Sequence, residues 1–114
     1  MAKRSCCPVA ATLDLIGDKW TLLIIRDLFA GKSRYRDLVA SPERIATNIL
    51  ATRLRHLTAL GLVTAKPSLA RAGSSEYHLT DRGRSLLPLL VAMRDWGLAN
   101  ISGTAAKVHV PHST

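Results

Sequence analysis

Asn48, Thr52 and Arg55 present an amide, a hydroxyl and a guanidinium at steps of four and three residues. In a helix those steps put all three on one face. With Leu50 set at zero and about 100° added per residue, they fall opposite the apolar stripe of Leu50, Leu54 and Leu57, with Ala51 and His56 beside them. Groups of this kind hydrogen-bond the edges of bases in a DNA major groove. No carboxylate interrupts the face, and the nearest acid, Glu43, precedes the helix. A helix shaped only for solubility tends to mix Glu with Lys at four-residue spacing. Two readings stand at this point: a DNA recognition helix, or a solvated helix face.

The helix that must position these residues runs from Ala46 or Thr47 to Leu60, and Gly61 supplies its stop. Ahead of it, Ser33 is the expected cap of a short helix over RYRDLVA, which Ser41-Pro42 breaks. A short first helix begins near Pro8, with Val9, Leu13 and Ile16 on one face up to Gly17. Asp18 can cap a second helix, whose buried side is expected to be Trp20, Leu23, Ile24, Leu28 and Phe29, with Arg26 and Asp27 turned out. After Gly61, LVTAK and EYHL read as strands around a loop from Pro67 to Ser75 that holds Pro, Gly, Ser and Arg71. Two short helices, then a hairpin with a basic tip, predict a winged helix-turn-helix, mainly α with one small β-hairpin. Thr80 is the expected cap of a last long helix from Asp81 to Ile101, kinked at Pro88. That helix is more apolar than one small domain needs, which predicts a partner subunit over part of it. The alternative is that it packs on its own core. Residues 1–101 form the expected domain, opening with a loose basic arm from Met1 to Ser5, and 102–114 read as a disordered tail.

The totals agree with this outline. A chain of 114 residues makes one domain and buries about 65% of its unfolded surface. A net charge of +8, carried mainly by Arg, favours a polyanionic partner. No run is long and apolar enough to span a bilayer, and Asp14 interrupts the only candidate signal core, so a cytoplasmic protein is expected. The adjacent Cys6 and Cys7 form no disulfide scaffold. Their spacing from His56, His78, His109 and His112 matches no zinc pattern, and no metal or other cofactor is expected. Nothing in the sequence sets up a nucleophile with its base or a phosphate-cradling glycine loop, so an enzyme is not expected. A rival reading is a winged helix that binds protein through its apolar last helix.

The segments CPVAATLDLIGDKWTLLIIRDLFAGKSRYRDL, ILATRLRHLTALGLV and EYHLTDRGRSLLPLL together resemble the HxlR-type bacterial winged-helix regulators, a branch of the MarR-like group. The markers are Cys-Pro before the first helix, Gly-Asp-Lys-Trp, Arg-Leu-x-x-Leu, Gly-Leu-Val and Tyr-x-Leu-Thr-x-x-Gly. The resemblance covers most of the chain, from Cys7 to Trp96. It implies a cytoplasmic homodimer that binds double-stranded operator DNA and regulates transcription, as a repressor or an activator.

By position, the resemblance places Asn48, Thr52 and Arg55 in the groove, with Thr47 at the helix start. It puts Arg53 on a phosphate or an internal carboxylate, Arg34 and Arg36 on backbone phosphates, and Arg71, Ser74 and Ser75 on the wing. The first and last helices would build the dimer, through Leu13, Leu87, Leu90, Val91, Met93 and Trp96. The chain departs from the pattern at Ala46, where many relatives carry a Ser or Thr cap, and at Arg44, where Gly is common. Cys7 matches the family cysteine that senses oxidants or electrophiles in some relatives, and Lys3, Arg4 and the following helix would favour its thiolate. The alternative is a buried, inert thiol. A small-molecule effector between the dimer helices and the winged domain is also compatible, although no residue specifies one.

Overall fold

A computed structural model describes residues 6–111. The arm from Met1 to Ser5, including Lys3 and Arg4, and His112 lie outside the described residues. The chain opens with α1 (Pro8–Ile16) and α2 (Thr21–Phe29). Pro8 occupies the first turn of α1, where its missing N–H costs nothing. The N-cap position of α2 is Trp20, and Asp18 caps the turn that enters the helix: its carboxylate accepts from the backbone N–H groups of Trp20 at 3.0 Å and Thr21 at 3.1 Å. The outward placement of Asp27 is corrected, because this carboxylate is only 2% exposed. Burial is tolerable there because Arg26 and Ser41 both donate to it.

The helix-turn-helix consists of α3 (Tyr35–Val39) and α4 (Thr47–Ala59). Ser33 does not cap α3. Its carbonyl accepts instead from Tyr77 N–H at 2.8 Å, and Arg34 pairs antiparallel with Glu76. Extended pairing with the wing has replaced local capping. α4 starts after Ala46, which has no side chain to cap it. The Leu50, Leu54 and Leu57 stripe is fully buried, together with Ile45. Gly61 (φ +74°) closes α4: its N–H reaches the Thr58 carbonyl and Leu62 N–H reaches that of Leu57, the paired bonds of a Schellman stop.

The wing is an antiparallel hairpin of β1 (Val63–Pro67) and β2 (Ser75–Leu79), in register from Val63 opposite Leu79 to Pro67 opposite Ser75. Thr80 then caps α5 (Asp81–Arg84), accepting from Gly83 N–H at 3.1 Å. Gly83 is needed there because a Cβ would sit 2.1 Å from the Leu62 carbonyl oxygen. The single kinked helix expected over Asp81 to Ile101 is two helices, with α6 (Leu87–Asn100) beginning anew after Ser85 and Leu86. Pro88 lies in the first turn of α6, where a proline ring meets no preceding turn; the chain breaks instead of kinking. The stretch expected to be a disordered tail carries no regular helix or strand over residues 102–111. Val108 and Val110 line a cleft with Leu22, Leu23, Leu90 and Met93, and Val110 is buried.

Candidate nucleic-acid interface

The outward face of α4 carries Thr47, Asn48, Thr52 and Arg55, all exposed. Thr52 Oγ1 donates to the Asn48 carbonyl at 3.0 Å and accepts from Arg55 Nη2 at 3.3 Å. The second bond is long, so the rest of the guanidinium fork is left to an external acceptor. Two neighbours turn away from this face. Helical angle alone puts His56 beside it, but its Nε2 lies 3.2 Å from the Leu15 carbonyl at the end of α1. Arg53 takes the internal option: its Nη1 stands 3.7 Å from Asp18 Oδ1. Burial disfavours the charge on Asp18, yet hydrogen bonds from the Thr21 hydroxyl and the backbone N–H groups of Trp20 and Thr21, with the Arg53 charge, hold its pKa below the usual carboxylate range. Arg53 therefore ties α4 to the start of α2 and is not aimed outward.

Arg34 and Arg36 are brought to the wing across more than thirty residues of sequence. Together with Tyr35, Arg71, Ser74, Ser75 and Tyr77 they line one open cleft of about 470 Å³. Ser33 and Arg34, paired with β2, hold this geometry. At the wing tip Ser68 Oγ accepts from the N–H groups of Ala70 and Arg71 and donates to Glu76 at 3.1 Å. Three guanidinium groups around hydroxyls and a tight turn form a surface suited to phosphate oxygens. Tyr35 donates its hydroxyl to the Thr47 carbonyl at the first residue of α4. It lies between the cleft and the reading face, and helical periodicity offered no signal for it.

The turn between α3 and α4 is held from α2. Arg26 donates to both oxygens of Glu43, at 2.8 and 2.7 Å, and to Asp27 through Nε and Nη2. The Arg26 fork lowers the Glu43 pKa to about 2, with burial opposing.

The residues expected at a dimer interface divide by exposure. Leu13, Met93 and Trp96 are exposed, at 56%, 51% and 63%. Leu90 and Val91 are half-buried. Leu87 is 2% exposed and buried within its own subunit. Val9, Leu15, Leu89, Leu98 and Ile101 add to the apolar surface of α1 and α6 and the residue that follows it. Cys7 is exposed at the N-terminus of α1, against the buried alternative. Hydrogen bonds from the backbone of Ala10 and Val9 lower its thiol pKa. Among the described residues, no group of three or more His, Cys, Asp and Glu could hold a metal ion, and no helix is long and apolar enough to cross a membrane.

Comparison with known proteins agrees with this geometry. Residues 15–104 match the model of the HxlR-like helix-turn-helix family. The uncharacterised HTH-type transcriptional regulator YdeP of Bacillus subtilis (strain 168) is 35% identical over 91 residues, covering 80% of this chain and 71% of YdeP. The crystal structure of PA1607, a candidate transcription factor, superposes with a TM-score of 0.80 at 45% identity, covering 95% of this chain and 74% of that one. The redox regulator HypR in its reduced form gives a TM-score of 0.76 at 33% identity, covering 84% of this chain and 95% of HypR. With its helix-turn-helix, wing and exposed polar α4 face, the chain belongs to the HxlR-like helix-turn-helix family of transcriptional regulators, and it is a DNA-binding protein, not an enzyme.

Proposed function

We propose that this protein is a homodimeric, sequence-specific regulator that lays one α4 per subunit into successive major grooves about 34–36 Å apart. Asn48, Thr52 and Arg55 read base edges, with Thr47 at the helix start. Arg34, Arg36, Arg71, Ser74 and Ser75 hold the flanking phosphates. Arg53 supports α4 from behind and makes no base contact. The observation that carries this reading is the exposed, carboxylate-free α4 face beside a cleft lined by three arginines. The dimer forms through α1 and α6 by way of Leu13, Leu90, Val91, Met93 and Trp96. Support comes from the large side chains those helices leave in water. The test is a mobility shift with DNA from upstream of the protein's own gene, run across a salt series, with mass by light scattering. Salt-sensitive, sequence-selective binding by a species of twice the chain mass is the expected result. No salt-sensitive shift at micromolar protein would favour a protein-binding winged helix.

A second reading concerns control. Cys7 is a redox-responsive thiol, supported by its exposure, its lowered pKa and the similarity to HypR, which is described as a redox regulator. With diamide, two thiolates from two subunits would give up two electrons, forming one S–S bond while the diazene takes up two electrons and two protons to become a hydrazine. The rearranged dimer would change the spacing of the two α4 helices. Diamide treatment is expected to alter the mobility shift of the wild type and leave Cys7→Ser unaffected. Identical binding by oxidised and reduced wild type removes this reading.

A further inference from the structure

The start of α4 receives the Tyr35 hydroxyl on the Thr47 carbonyl but has no cap of its own. Ala46 offers no capping side chain, and the first turn contains no acidic residue. The preceding turn also holds Arg44 at φ +56°, a conformation that L side chains adopt at a cost. Leu50, Leu54 and Leu57 anchor one face of the helix. An apolar stripe alone resists lifting more than it resists small sliding or rotation. Arg53 on Asp18, His56 near the Leu15 carbonyl and Tyr35 on the Thr47 carbonyl hold the helix itself; the turn that leads into it is held from α2, by Arg26, seventeen residues before Glu43. Arg26 grips Glu43 with two parallel bonds, and the same guanidinium donates to Asp27 and, at 3.0 Å, to Ser41 Oγ. Ser41 in turn donates to Asp27 at 2.5 Å. Thus both Ser41 and Glu43 of the turn Ser41–Arg44, closed by Arg44 N–H on the Ser41 carbonyl at 3.0 Å, are tied to one planar cation on a packed helix.

We propose that Glu43, held by Arg26, is a positioning residue for DNA reading: it sets the placement of α4 and thereby the operator affinity without touching a base. This inference rests on α4 being the reader. Planar bidentate pairs impose orientation as well as attraction, and a reading site must be held to within about 0.5 Å and 10–20° to work.

The sign of the effect separates this role from simple electrostatics. Glu43 is a carboxylate on a protein that binds a polyanion. If it were only a surface charge, Glu43→Gln would strengthen binding to every duplex. As a positioning residue, its loss weakens binding to the correct sequence alone. The experiment uses the full chain and two probes of equal length: a duplex enriched from random sequence by the wild-type protein, and an unselected random duplex. Fluorescence anisotropy of Glu43→Gln is expected to show on the order of tenfold weaker binding to the selected duplex, within the coupling range of one contact network. Binding to the random duplex is expected to be unchanged or tighter, so the specificity ratio falls. Glu43→Asp keeps the charge but is one methylene too short for the fork; it is expected to lose the same ratio and guards against a misfolded amide variant. Circular dichroism checks that each variant is folded at the assay temperature. Equal or tighter binding of both variants to the selected duplex overturns the proposal. So does a proportional loss on both duplexes that follows the folded fraction. A wild type that enriches no sequence would refute the reader assignment of α4 itself, and this inference with it.

Discussion

Arg55→Ala tests the reading face at the point where the geometry is least ambiguous. The side chain is exposed, and the bond it makes within the subunit, to Thr52 Oγ1, is long at 3.3 Å. Truncation therefore removes almost nothing from the folded chain. Alanine is also a strong helix former, so stability should change by less than about 0.5 kcal/mol. The guanidinium retains enough donors for a bidentate contact with guanine O6 and N7, which discriminates against a wrong base by about 1–3 kcal/mol. Converted to affinity, that is a loss of roughly 5- to 150-fold on the operator. The assay is anisotropy against the operator and against versions substituted one base at a time. The expected pattern is a large loss on the operator, little change on random DNA, and relaxed preference at a single base pair. If Arg55 were a phosphate contact, loss would be equal on all sequences and the salt slope would fall by about one. That equal loss would refute the assignment of Arg55 as a base reader.

Arg71→Ala at the wing should do the reverse, lowering affinity similarly for operator and random DNA and reducing the slope of log affinity against log salt by about one. Gly83→Ala should destabilise the fold by about 2–4 kcal/mol, seen as a lower urea midpoint, because the new Cβ would lie 2.1 Å from the Leu62 carbonyl; an unchanged midpoint would contradict the close approach. Trp96→Glu puts a charge into the apolar α6 surface and should yield a folded monomer by light scattering, whereas an intact dimer would move the interface elsewhere. Acid should weaken the Arg26–Glu43 pair in a defined window. The folded pKa of Glu43, about 2, lies below the unfolded value near 4.3, so the pair's contribution is complete above pH 4.3 and is lost as pH falls toward 2. The unscreened figure is about 3 kcal/mol, but the Glu43 side chain is 36% exposed, so about 1 kcal/mol is expected. Subtracting the acid denaturation profile of Glu43→Gln from that of the wild type measures it.

Much of the architecture was legible in short-range pattern. The Leu50, Leu54 and Leu57 stripe, the stop at Gly61, the caps at Asp18 and Thr80, and the two strands each depend on residues within about five positions of one another. Local rules of period and capping act over that range. The face carrying Asn48, Thr52 and Arg55 follows from the same periodicity, and these residues are exposed as expected.

What periodicity misassigned shares one cause. Helical angle puts His56 beside Asn48, Thr52 and Arg55 and turns Asp27 outward, yet His56 reaches Leu15, forty-one residues away, and Asp27 is paired with Ser41, fourteen away. Leu87 carries the same apolar signature as the exposed Met93 and Trp96, and only packing separates them. A run that reads as one helix from Asp81 to Ile101 contains a proline whose effect depends on whether a turn precedes it. Spacing in the chain specifies which groups share a face, because a helix or strand has a fixed period. Which face is buried, and which charge meets which, is decided where distant segments pack, since burying a charge is favourable only when its partner arrives. By itself the sequence determined a winged helix with a polar, acid-free outer face on α4. The tertiary structure decided that Arg53 and His56 support that surface from behind, that Arg34, Arg36 and Arg71 converge beside it, and that Arg26 fastens Glu43 at its approach.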